Sequence, residues 1–192
     1  MSKYASFLSA VAIGALMITA PAGAQDKMSS EKTVSVGGAP MYPSKTIVQN
    51  AVNSKDHTTL VAAVKAAGLV DTLSSAGPFT VFAPTNAAFT KLPAGTVDTL
   101  LKPENKPKLT AVLTYHVVPG RLTAAALMKA VKDGGGMAKY KTVEGEELII
   151  KQPSAGKLSI TDTKGGTSMV TIPDVLQSNG VIHVVDTVLL PS

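Results

Sequence analysis

Apolar residues recur at helical spacing from Thr46 to Thr114, and the steps are short. Ile47, Val48, Ala51 and Val52 mark a first helix, and Leu60, Val61 and Val64 form the stripe of a second, with Thr58 or Thr59 as its N-cap and Gly68 as its stop. Leu69, Val70 and Leu73 predict a further turn or two. Phe79 to Ala83 breaks the rhythm as a short strand, entered from Gly77-Pro78 and left at Pro84. Thr85 or Asn86 caps a helix that buries Phe89, Pro93 suits the first turn of the next, and a longer helix over about Lys106 to Thr114 buries Leu109, Val112 and Leu113.

Beyond Thr114 the pattern changes. Tyr115 to Val118 reads as a strand stopped by Pro119-Gly120, and Thr123 caps one more helix through Leu127, Met128 and Val131. After Gly134-Gly135-Gly136 the segments are extended: Tyr140 to Val143, Glu147 to Lys151, Lys157 to Thr161, Ser168 to Ile172 and Val181 to Leu190. A helix-rich half followed by a strand-rich half is an α+β pattern. The isolated strand at Phe79 must find its partners far away in sequence, so the two halves share one core.

The start of the chain belongs to neither half. Lys3, the apolar run Leu8 to Thr19 and the small residues Ala22-Gly23-Ala24 have the form of a secretory signal peptide, cleaved after residue 24. The run is too short to span a bilayer, and Pro21 and Gly23 end it, so no membrane insertion is expected after cleavage. Residues 25–44 are polar and small, with Gly37-Gly38 and two prolines, and read as a flexible leader; residues 45–192 form the domain. Export to a periplasm or to the outside of the cell follows.

Composition narrows the chemistry. The chain of 192 residues is 45% hydrophobic and 16% charged, which is enough apolar material for a core. It has no cysteine, which removes disulfides, thiolate nucleophiles and Cys-based metal centres. A net charge of +5 rests on dispersed lysines, and Arg121 is the single arginine; with no Trp and 4% aromatics, nucleic acid is not an expected partner.

Few titratable groups are placed for catalysis. His57 stands in a polar stretch before a helix and reads as exposed, whereas His183 lies within VIHVVD and reads as a neutral, hydrogen-bonded core residue. Tyr115 and His116 sit at a helix-to-strand junction on opposite sides of the backbone, so one of them can reach a surface; both can equally be structural hydrogen-bonders. No G-x-S-x-G, HExxH, acidic calcium loop or phosphate-binding glycine pattern is present, and His183 and Asp186 point to opposite faces of a strand. No catalytic residue, cofactor or metal is assigned, and the expected protein is not an enzyme.

Three segments in order, TVFAPTNAAF (Thr80 to Phe89), TYHVVPG (Thr114 to Gly120) and NGVIHVVDTVLLP (Asn179 to Pro191), resemble the signature blocks and the intervening Tyr-His motif of the fasciclin domain. Within them Thr80, Phe82, Pro84, Asn86, Phe89, Asn179, Gly180, His183 and Asp186 read as residues that specify the fold, with Gly180 serving a tight turn at positive φ. The resemblance implies a wedge-shaped β-sandwich with helices packed beside it. It also implies a secreted, non-catalytic adhesion or interaction module that binds a protein or an extracellular matrix component, with Tyr115 and His116 as candidate partner-binding residues. A small-ligand or glycan carrier of the cell envelope, using a pocket between the helical half and the sheet, is the alternative. The oligomeric state is left open.

Overall fold

A computed structural model describes residues 33–192. The signal-peptide reading of residues 1–24, and the first part of the leader, lie outside the described residues.

Two strands at the centre explain the architecture. β3 (Phe79–Pro84) and β9 (Gly180–Val185) pair in parallel, from Phe79 opposite Gly180 to Pro84 opposite Val185. Both are apolar on both faces, as strands covered on two sides must be. Val81, Ala83, Ile182 and Val184 point into one hydrophobic cluster, and Phe82 and Val185 into a second.

The first cluster is closed by the short helices α1 (Ile47–Ala51), α2 (Thr58–Ala67), α3 (Val70–Ser74), α4 (Asn86–Thr90) and α5 (Thr96–Leu100) together with α6 (Lys106–Tyr115). Local chemistry sets their ends. Thr46 and Gln49 form a reciprocal capping box on α1, Thr85 caps α4, and Gly68 ends α2 in the left-handed conformation at φ 74°. The cap of α2 comes from another element: Asn86 Oδ1 accepts from Thr59 N–H at 3.0 Å, while its amide donates to the Lys55 carbonyl at 2.8 Å and to Thr58 Oγ1 at 3.0 Å.

The leader reading is corrected here. β1 (Val34–Val36) and β2 (Ala39–Met41) make an antiparallel hairpin across Gly37-Gly38, with Val36 and Met41 buried in the first cluster. The alternation Val34-x-Val36 was too short to stand out beside the glycines, yet it delivers two core side chains. The compact body therefore begins well before residue 45.

The second cluster fills the inside of the curled sheet. In order the strands are β4 (Val117–Pro119), β3, β9, β8 (Thr167–Gln177), β7 (Lys157–Thr161), β6 (Glu147–Ser154) and β5 (Met137–Lys141). Leu148, Ile150, Leu158 and Ile160 face inward, and α7 (Ala124–Asp133) covers them with Leu127 and Val131. The order leaves β4 and β5 at the ends, but Val143 N–H donates to the Val117 carbonyl at 2.8 Å and draws the exit of β5 against β4. The sandwich is thus one mixed sheet folded over on itself.

Candidate functional site

Tyr115 and His116 end α6 and turn the chain into β4, and the change of direction sends their rings into different clusters at a centroid separation of 6.5 Å. Tyr115 is fully buried in the second cluster; its hydroxyl donates to the Glu147 carbonyl at 3.1 Å and accepts from Thr163 N–H at 3.2 Å. His116 is 2% exposed and borders the helical cluster. Its Nδ1–H donates to the Val112 carbonyl at 2.7 Å, and Nε2 accepts from Leu189 N–H at 3.0 Å. That pair of partners fixes a neutral tautomer, and burial lowers the ring's pKa to about 4. The expectation that one of the two reaches a surface is corrected: the C-terminal turn of α6 and β4 are both covered, so neither side chain is available to a partner.

His183 is likewise sealed. Its Nε2–H donates to the Leu122 carbonyl at 2.8 Å, Nδ1 accepts from Asp174 N–H at 3.3 Å, and the ring stacks on Phe82 with centroids 5.7 Å apart. Burial pushes its pKa down. Asp186 lies outside this pocket, accepting from Met169 N–H at 2.9 Å and meeting Lys91 at 3.5 Å.

The remaining motif residues splice distant segments together. Thr80 Oγ1 donates to the Gly120 carbonyl at 2.7 Å and accepts from Leu122 N–H at 2.9 Å. Asn179 accepts from Ile47 N–H at 3.0 Å and donates to the Leu73 and Ser75 carbonyls at 2.8 and 2.9 Å, which ties α1 and α3 to the start of β9. Phe89 packs in the first cluster, and Pro84 closes β3 opposite Val185. Gly180 does not occupy the left-handed region; a Cβ there would meet the Phe79 carbonyl oxygen at 2.1 Å. Its requirement is close approach of two parallel backbones, not the turn, which Ser178 and Asn179 make.

Several polar residues gave no sequence signal. Asp174 adopts φ 56° at an irregularity of β8 and accepts from Ala124 N–H at 2.7 Å, which anchors the start of α7. Asp162, buried, accepts from Gly166 N–H at 2.6 Å and Leu190 N–H at 3.2 Å. Ala124 and Leu190 are remote in sequence from the carboxylates they meet, which residue spacing does not record.

His57 departs furthest from expectation. Read as exposed, it is 3% exposed, because the single 3-10 turn Lys55–His57 that precedes α2 rotates it inward. Nδ1 shares a hydrogen bond of 2.9 Å with Ser54 Oγ, and burial lowers the ring's pKa. The Ala83 backbone is close enough to favour a proton on the ring, but Nε2 makes no hydrogen bond of normal geometry. The ring lines a narrow, apolar cavity of about 50 Å³ between the helices and the sheet. Among the described residues no group of His, Asp and Glu is placed to hold a metal ion.

These features are those of a known domain type. The fasciclin domain family model matches residues 55–191, and the chain belongs to that family. Protein sll1483 of Synechocystis sp. is 48% identical over 163 residues, covering 85% of this chain and 83% of its own. Immunogenic protein MPB70 of Mycobacterium bovis is 38% identical over 146 residues, covering 73% of this chain and 66% of its own. Transforming growth factor-beta-induced protein ig-h3 of Sus scrofa is 33% identical over 149 residues, of which this chain spans only 20% of the length. In structure the chain is similar to a FAS1 domain pair from the insect cell adhesion molecule Fasciclin I, with a TM-score of 0.69 at 23% identity over 78% of this chain and 52% of that one. That likeness shows the fold.

Proposed function

We propose that the protein is an exported, non-catalytic module that recognises a protein or matrix partner through side chains on its outer surface. The observation that carries this reading is the fate of the motifs: Tyr115, His116, His183 and Thr80 all turn inward and bond to backbone groups, which leaves recognition to the exterior. The membership of the fasciclin family supports it.

On that exterior Tyr42 and Leu176 are large apolar side chains left 37% and 40% exposed. Tyr42 leads out of β2 and Leu176 stands on β8, and these two strands touch. Lys45 lies over the Tyr42 ring at 4.8 Å and adds a positive charge. An exposed aromatic ring beneath a cation has the composition of a protein-binding anchor.

Crosslinking capture from the native envelope fraction tests this. Wild-type protein is expected to retain a discrete partner, and the Tyr42→Glu, Leu176→Glu double variant to lose it while its melting temperature stays within a few degrees. Capture unchanged by the double variant overturns the assigned surface, and capture of nothing by the wild type overturns the interaction reading.

A further inference from the structure

Four chain segments meet at the end of the sheet where β3 and β9 begin, and they enclose an open cleft of about 480 Å³. It is lined by the run Ser74 to Pro78, by Thr46 at the start of α1, by Ser178 and Asn179 of the β8–β9 turn, and by Arg121 just beyond β4. These segments are clamped to one another. The Asn179 side chain bonds backbone groups of Ile47, Leu73 and Ser75, and Gly120 N–H donates to the Pro78 carbonyl at 2.9 Å. Gly77 lies so close to the Asn179 carbonyl oxygen that a Cβ would not fit between them. The shape of the cleft is therefore set in advance, which lowers the ordering cost of binding there.

Arg121, the single arginine of the chain, brings a permanent positive charge to the cleft, and no lining residue is acidic. Its Nη2 donates to the Gln177 and Ser178 carbonyls at 3.0 and 3.2 Å. These carbonyls orient the guanidinium without cancelling its charge. Nε and Nη1 keep their own N–H groups, and among the described residues no carboxylate pairs with Arg121. Around it stand the hydroxyls of Thr46, Ser74, Ser75 and Ser178, groups that both donate and accept. One oriented cation among hydroxyls matches a ligand with one negative charge and several hydroxyl groups. A planar carboxylate suits the guanidinium, whereas a phosphate monoester would bring nearly twice the charge to a lining that holds no lysine.

We propose that this cleft binds a hydroxylated monocarboxylate, the uronic acid unit of an acidic glycan. The volume falls within the roughly 300–1,000 Å³ of small-ligand sites, and because the cleft is open it admits one unit of a longer chain. The assignment rests on the reading that recognition is made on the exterior, and it supplies the chemistry of a matrix ligand.

Galacturonate and its methyl ester, which share every ring hydroxyl and differ in charge, are the probes, with tetragalacturonate as the polymer arm. Amide NMR titration of the full chain with galacturonate is expected to move Ser75, Gly77, Ser178 and Asn179 together with Arg121 Nε. The ester is expected to bind roughly tenfold more weakly, the size of one charge-assisted hydrogen bond. Arg121→Gln is expected to abolish that difference; if the variant does not fold, the wild-type comparison of acid and ester decides alone. Absence of shifts around the cleft overturns the site, and equal affinity for acid and ester overturns the role of Arg121. Tighter binding of the tetramer than of the single sugar supports a glycan as the source, and equal binding overturns it. The titration contains no partner protein, so its failure strikes the cleft alone, whereas an empty crosslinking capture strikes the wider interaction reading.

Discussion

Leu189 N–H donates to His116 Nε2 across 73 residues of sequence, at 3.0 Å, and only a neutral imidazole can accept it. The C-terminal segment is therefore held by a group that titrates.

Acidification should loosen that hold. Burial depresses the folded pKa of His116 from 6.5 to about 4, so between these values the unfolded chain binds more protons than the folded one. Stability is then fully present above about pH 6.5 and is lost as pH falls toward 4, by about 3 kcal/mol from this residue. His57 and His183, also depressed by burial, act in the same direction. Urea unfolding followed from pH 7 to 4.5 is expected to show a falling midpoint, with a flatter profile in His116→Gln. A profile equally steep in that variant would show that the titration resides elsewhere.

The two glycines Gly180 and Gly165 should respond differently to alanine. At Gly180 the new Cβ meets the Phe79 carbonyl oxygen at 2.1 Å, and neither backbone can yield without breaking the β3–β9 pairing. A loss above about 4 kcal/mol, or no soluble protein, is expected. Gly165 has φ 86° with open space around it, so its alanine variant pays only the conformational strain, about 1 kcal/mol. Thermal denaturation of the pair separates crowding from strain.

The hairpin ahead of α1 should contribute to stability. Met41 is 3% exposed in the helical cluster, and Met41→Ala is expected to cost roughly 2–5 kcal/mol. A free leader would show no change in denaturation midpoint.

Sequence periodicity captured what is set locally. The apolar stripes, the caps at Thr85 and Thr123 and the stop at Gly68 are interactions within a few residues, and those helices lie where the signals stand, whereas the expected cap at Thr58 or Thr59 is replaced by Asn86. The two-sided apolar run of VIHVV announced a central strand for the same reason. What escaped was decided by distant partners: the hairpin through its contact with the helical cluster, His57 through the turn that rotates it inward, and Tyr115 with His116 through the coverage of both faces at their junction. The motifs identified the fold because they are its splices, and for that reason their side chains lie inside it.

The bond from Val143 to Val117 has a further bearing on life at high local concentration. A molecule whose outermost strands are stitched to each other offers little open ladder for a neighbour to extend. At those two ends a neighbouring copy would find fewer free backbone groups to pair with, so that close association need not lead through strand exchange there.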